Sequence, residues 1–181
     1  KKLTETLNKK DRSSDISGGR SFYKKILVGA VIVLTCLGML FWYADQLIVS
    51  LNPEGGLPKQ YFTVEPGELW NIEFKHSYEL TQVEEFFQVN GVDDMTMIYT
   101  KYKSLGCGLP FSGSEGKLVT EPDGKFKLVM NRPYKTVKIR PAVQARQKVI
   151  HNGKVYDLCE LYGHGTLIEI KAERRYQYWF N

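Results

Sequence analysis

Cysteine is scarce in this chain: Cys36, Cys107 and Cys159 are the only three in 181 residues, too few for a disulfide-dense secreted scaffold. Histidine is scarce as well. His76, His151 and His164 stand far apart, and none is paired at a spacing of two or four, so the sequence holds no zinc motif and predicts neither a metal nor a cofactor. No fixed-period repeat and no low-complexity segment occurs, and past Tyr43 there is no long stretch of helical periodicity. That excludes solenoids and helical bundles.

An excess of one charge is also missing from most of the chain. The formal net charge is +5, yet residues 1–25 alone hold eight Lys or Arg against Glu5, Asp11 and Asp15, while the other 156 residues balance 17 bases against 17 acids. The basic balance therefore signals topology and not a nucleic-acid partner.

What is present is one long apolar run. Ile26 to Tyr43, ILVGAVIVLTCLGMLFWY, passes without a charge or a proline, and at about 1.5 Å per residue such a helix spans roughly 27 Å, close to the hydrocarbon thickness of a bilayer. The sequence predicts a single transmembrane helix over 26–43. The basic tail before it, and Asp45 with no base until Lys59 after it, place residues 1–25 in the cytoplasm and residues 44–181 outside by the positive-inside rule. FWYADQL offers no A-x-A-like cleavage site, which favours an uncleaved anchor over a secretory signal. Cys36 follows Thr35, not a small Gly, Ala or Ser, so it reads as a membrane-packing residue. The tail, with Ser13, Ser14, Ser17, Gly18 and Gly19, reads as polar and mobile, touching anionic lipid.

Residues 44–60 read as a linker or a first strand: Gln46 to Leu51 is β-prone, and NPEGGLP closes it. From Tyr61 the period becomes two. Trp70, Ile72, Phe74 and His76 fall on one strand face; Val83–Val89, Asn90-Gly91 and Met95–Lys103 read as a hairpin; Pro122-Asp123-Gly124 and Asn152-Gly153 mark two more turns. DLCELYG at 157–163 fits either the end of a strand or a single helical turn, and the aromatic end Tyr176–Phe180 reads as a last strand covering the sandwich, with an exposed patch that docks on the bilayer or a membrane partner as the alternative. The expected fold is an all-β extracytoplasmic domain over 61–181, an antiparallel β-sandwich or barrel of about seven to nine strands, with Trp70, Ile72, Phe74, Phe87, Val129 and Ile139 in or near its core.

Chemistry-bearing residues are few. His76 and Ser77 lie at a strand end and Glu85 on the next strand, so a short turn would set carboxylate beside imidazole, fixing its tautomer and raising its pKa, as a binding or pH-sensing site requires. Gly106-Cys107-Gly108-Leu109-Pro110 supplies a backbone free to turn its N–H groups on an anion, though a tight turn needs the same residues. Gly113-Ser114-Glu115-Gly116 lacks the spacing of a nucleophile elbow. Cys107 and Cys159 both fall on the oxidising side, where a disulfide could form, but nothing in the sequence shows that they meet, and separate thiols are the expectation.

Three stretches, FKHSYELTQVEEFF (Phe74–Phe87), SLGCGLP (Ser104–Pro110) and IHNGKVYDL (Ile150–Leu158), resemble the landmarks of a bacterial family of unknown function encoded beside TAXI-type TRAP solute transporters and sometimes mislabelled as an amino-acid permease. That resemblance implies a non-enzymatic accessory or binding subunit in the bacterial cytoplasmic membrane. Its implied partner is a TRAP-type permease, its solute-binding protein or both, and its implied binding residues are His76, Ser77, Glu85, Gly106, Gly108 and Pro110. Cys107 departs from the family pattern, which has a small residue there, usually Ala. The order His76, Cys107, Arg140 behind an anchor also resembles a sortase-like transpeptidase, but the Thr-Leu-x-Thr-Cys strand of that family is absent. A single-pass sensor of an extracellular ligand is the third reading.

Overall fold

The computed structural model describes residues 2–77, 80–104 and 116–180. The chain divides into two units, a helix through Ala44 and a β domain from Asp45. The helix, α1 (Lys2–Ala44), contains a stretch, Phe22–Ala44, long and apolar enough to cross a membrane, with none of it buried by protein. It also continues back through Ser13–Gly19, where the sequence predicts a mobile tail. Glycine costs a helix about 1 kcal/mol relative to alanine, but a helix already nucleated by the apolar stretch gains one hydrogen bond for each residue it adds.

The second unit has eleven strands among the described residues: β1 (Leu47–Pro53), β2 (Gln60–Thr63), β3 (Leu69–Lys75), β4 (Gln82–Gly91), β5 (Asp94–Tyr102), β6 (Lys117–Thr120), β7 (Phe126–Tyr134), β8 (Thr136–Ile139), β9 (Lys148–His151), β10 (Lys154–Asp157) and β11 (Ile168–Arg174). They form two antiparallel sheets, a smaller one in the order β2-β1-β11-β8 and a larger one in the order β10-β9-β3-β4-β5-β7-β6. The stretch after the helix is thus a strand, and it pairs along its whole length with the last strand, from Leu47 opposite Arg174 to Pro53 opposite Ile168.

Period-two patterning sets the layers. Val49, Leu51, Ile170 and Ala172 of the smaller sheet share one buried cluster with Trp70, Ile72, Phe87, Val89 and Met97 of the larger, and Trp70 stacks on Phe87 with ring centroids 4.6 Å apart. Phe74 and Ile139 pack on this core from partly buried positions. Val129 does not belong to it. A bulge between Met97 and Tyr99 sets Val129 opposite Tyr99, on the outer face, and the buried neighbour is Leu128. Two adjacent apolar residues leave the parity of the strand undecided, and the bulge decides it.

The turns follow their backbone chemistry. Asn152 and Gly153 both have positive φ, 47° and 77°, as a two-residue hairpin between β9 and β10 requires. The β4–β5 turn falls at Val92-Asp93, two residues beyond the expected Asn90-Gly91, with Asp93 at φ 51°. Asp157 caps a short helix, α2 (Leu158–Tyr162), by accepting from the N–H groups of Cys159 and Glu160. The chain ends in another helix, α3 (Arg175–Phe180), where the sequence predicts a strand. The Gln177 side chain accepts the Arg174 N–H at 2.8 Å, and the helix lays Tyr178 against Tyr61 on the outer face of the smaller sheet, ring centroids 4.9 Å apart. Ile48 and Ser50 are fully buried on that face.

These layers predict distinct responses to truncation. Trp70→Ala in the full chain is expected to lose about 3–5 kcal/mol, whereas Val129→Thr should change stability by no more than about 0.5 kcal/mol. Chemical denaturation in detergent micelles, followed by far-ultraviolet circular dichroism, measures both.

Candidate functional site

The larger sheet brings together residues that the sequence keeps far apart. β3 has two neighbours, β4 and the much later β9, with Glu73 opposite Glu84 on one side and Lys148 on the other. Where β3 ends, the Lys75 N–H donates to the Ala145 carbonyl at 2.7 Å, which ties the loop before β9 to the end of β3. That loop is itself closed by the Ala142 N–H donating to the Gln147 side chain at 2.8 Å. On the other side the β3–β4 turn is closed by His76 N–H to the Thr81 carbonyl at 2.8 Å and Leu80 N–H to the His76 carbonyl at 3.0 Å.

Between these loops lies a cleft of about 430 Å³ lined by Glu73, Phe74, Lys75, Leu80, Thr81, Gln82, Lys103, Arg146 and Lys148, a size that suits a small ligand. Four of these residues are bases and one is an acid. Among the described residues, none of the four bases is in an ion pair. Two lining residues, Leu80 and Arg146, hold left-handed backbone at φ 54° and 49°, uncommon outside glycine and often kept where a loop must present a group. A wider hollow of about 520 Å³ runs along Thr63–Glu68, but its lining charges are Glu65 and Glu68, and the second is already satisfied.

His76 and Ser77 sit in the β3–β4 turn, flanking the cleft without lining it. The expected His76–Glu85 pair is not formed by this register: Glu85 is opposite Ile72, four residues before His76, roughly 13 Å along a strand that rises about 3.3 Å per residue. The turn is complete before Gln82, where β4 begins, so Glu85 is carried back along β3 and away from His76. Burial pushes the Glu85 carboxyl up, against the opposing charge of Arg132. Gly106, Gly108 and Pro110, with Cys107, lie outside the described residues. Arg140 donates to Glu54 at 2.9 Å and to the Gly165 carbonyl at 2.7 Å, just past β8 of the smaller sheet, whereas His76 follows β3 of the larger one. Among the described residues no three His, Cys, Asp or Glu side chains gather as metal ligands. Cys159 is a free thiol whose pKa is pushed up by burial and then by Asp157.

A histidine–glutamate pair does exist, between residues the sequence did not single out. His151 Nε2 lies 3.0 Å from Glu68 Oε1, and Asn152 donates to the same oxygen at 2.7 Å. The His151 ring is buried and stacks on Phe62 with centroids 4.4 Å apart. The other oxygen of Glu68 accepts the Glu65 N–H at 2.9 Å. Desolvation raises the Glu68 pKa, but the hydrogen bonds from Glu65, Asn152 and His151 outweigh it and hold the carboxyl below its ordinary value. This clasp joins the β2–β3 connection, which runs from one sheet to the other, to the β9–β10 turn. The one hint in the sequence is the Asn152-Gly153 turn beside His151, but only the long-range pairing of β3 with β9 brings Glu68 within reach.

The two carboxyls predict opposite pH dependence. Glu68, with its pKa lowered by folding, contributes stability that is present above the unfolded pKa and lost as pH falls through the folded one. Glu68→Gln should therefore destabilise at pH 7 by about 1–2 kcal/mol, with the difference fading in acid. Glu85, with its pKa raised, favours the fold below the unfolded pKa and loses that contribution as pH rises through the folded one. Glu85→Gln should raise the Tm at pH 8 by about 2 °C, with no gain near pH 4. Thermal melts of both variants across that range check the signs.

Residues 70–158 match the family described as Domain of unknown function (DUF1850). No curated protein and no solved structure matches the chain. The match begins one residue into β3 and ends after β10, so it takes in nearly all of the larger sheet and every described residue that lines the cleft. A match to a domain of unknown function thus spans residues 70–158, which hold nearly all of the larger sheet and its basic cleft, and strands on either side of it in the sequence complete the smaller sheet.

Proposed function

We propose that this chain is a single-pass, non-enzymatic binding subunit of the bacterial cytoplasmic membrane, with its N-terminus inside and residues 44–181 outside, serving a TAXI-type TRAP solute transport system. The observation that carries the binding reading is the cleft, whose charged groups are mostly cations suited to attracting and holding an anion. The eight bases of residues 1–25 support the orientation. Only Asp45 and Gln46 separate the end of α1 from β1, a junction of about 10 Å even when fully extended, which suits a partner embedded in the same membrane. The transporter itself comes from the resemblance of Phe74–Phe87, Ser104–Pro110 and Ile150–Leu158 to a family encoded beside such systems. On this reading α1 packs on the permease, and the larger sheet meets the solute-binding protein or the solute.

Two measurements test it. Protease added to spheroplasts should remove the β domain and spare the tail; a protected domain would reverse the topology. Affinity-tagged full chain solubilised in detergent should recover a polytopic permease, identified by mass spectrometry. Recovery of this chain alone, with transport unchanged on its deletion, would overturn the subunit reading. Cys107→Ala should leave the recovery intact, and a loss of function confined to that substitution would favour the thiol transpeptidase instead.

A further inference from the structure

We infer that the cleft between the β3–β4 turn and the Ala142–Gln147 loop binds a multiply charged oxyanion, a ligand carrying at least two carboxylate or phosphate groups. This deepens the binding reading above and rests on it.

Most of the domain's other bases have a partner among the described residues, Lys117 and Lys135 excepted. Lys101 pairs with Glu121 at 2.9 Å, Lys138 with Glu169 at 2.7 Å, Arg140 with Glu54 at 2.9 Å and Lys171 with Glu173 at 2.9 Å. Lys127, Lys154 and Arg175 lie over the rings of Tyr99, Tyr156 and Tyr61. Lys75, Lys103, Arg146 and Lys148 line one cleft and, among the described residues, have neither kind of partner. Glu73, the one acid among the described lining residues, sits opposite Lys148 across β3–β9 and still forms no ion pair with it. In a domain whose bases and acids balance overall, four cations sharing one cleft with one acid are a local excess. Like charges brought together repel, and an anion between them relieves the repulsion.

The number of charges sets the class. Among the described lining residues, one acid against four bases leaves a net charge of +3, so a ligand with a single negative charge would leave most of that excess in place. Arg146 offers a planar fork that matches a carboxylate or phosphate, while the lysines act as point charges that add strength without fixing orientation. Phe74 and Leu80 supply an apolar side, and Thr81 and Gln82 supply neutral hydrogen-bonding groups. Described residues on both sides are already tied: Lys75 N–H donates to Ala145, His76 N–H to Thr81 and Leu80 N–H to His76. A site fixed before the ligand arrives loses less conformational freedom on binding.

The same chemistry is available from a soluble polyanion and from the headgroup of an anionic lipid, and the experiment separates them. Full chain in nanodiscs of phosphatidylcholine is titrated with citrate, pyrophosphate and acetate by isothermal calorimetry. Citrate or pyrophosphate should bind saturably at one per chain, acetate at least tenfold more weakly, and added salt should weaken the affinity. The double variant Lys75→Gln/Arg146→Gln should weaken binding at least tenfold with an unchanged Tm, which shows that it is folded, while Lys154→Gln on β10 should bind as the parent does. If phosphatidylglycerol in the disc competes with citrate in the parent but not in the double variant, a headgroup is the source; if citrate affinity is the same in both discs, the ligand is soluble. Binding of neither polyanion, equal binding of acetate, or an equal loss in Lys154→Gln would overturn the inference. None of these measurements needs a permease: anion binding without recovery of a permease removes the transporter and keeps the ligand class, and the reverse result does the opposite.

Discussion

The pairing of the first strand with the last is the constraint on which the rest of the domain depends. β1 and β11 are more than a hundred residues apart, yet they run side by side through seven residue pairs at the centre of the smaller sheet. Their inward residues, Val49, Leu51, Ile170 and Ala172, are fully buried and cover the inner face of the larger sheet. Without them Trp70 and Ile72 would face water. Burial of apolar surface near 25 cal/mol per Å² is the main favourable term here, and it is reached only after the chain has closed its longest loop. The matched domain at 70–158 holds the larger sheet but only β8 of the smaller, so the core of that domain is finished by residues outside its matched boundaries.

The outer face of the smaller sheet shows how a polar layer is kept beside that core. Ser50 donates to Glu173, Lys171 meets the same carboxylate at 2.9 Å, and Asn52 donates to Ser50 at 2.8 Å. Glu173 is buried, and such a carboxylate is tolerated because its oxygens are occupied. α3 closes the layer: Arg175 donates to Thr63 at 2.8 Å, and the Tyr178 hydroxyl donates to the Lys59 carbonyl at 3.1 Å. The aromatic end of the chain is therefore a lid on one sheet and not a strand added to its edge. Its Tyr and Trp residues suit both roles by composition. What separates the roles is the Gln177 side chain accepting the Arg174 N–H, a local contact that ends the strand and starts the helix.

Local signals in the sequence were readable, and long-range ones were not. The apolar helix, the Asn152-Gly153 hairpin and the alternation through Trp70, Ile72 and Phe87 follow from composition and period, and the structure has each of them. Where two apolar neighbours stand together, as at Leu128-Val129, the face depends on a bulge that the sequence does not mark. The His76–Glu85 pairing failed for a related reason, since it assumed where the turn lies, and a shift of a few residues along a strand moves a side chain by more than 10 Å. The cleft and the Glu68–His151 clasp both depend on β9 joining β3 across some seventy residues of chain. No period or motif announces that crossing.

Charge shows how the two units differ in what they can attract. The tail holds the entire net charge of the chain, while the residues beyond it balance, so the β domain has little long-range field of its own. A ligand is then drawn to the cleft only within about 8–10 Å, the screening length near physiological salt. That range is short enough for position to matter more than steering. Six other bases of the domain are paired with carboxylates within 4 Å, so their fields cancel at close range, whereas among the described lining residues of the cleft cations outnumber acids. The loops around it are closed by backbone hydrogen bonds, and Glu68 holds the neighbouring β9–β10 turn through Asn152. The same long-range pairing of β3 with β9 therefore both builds the positive cleft and braces the strand that carries Lys148.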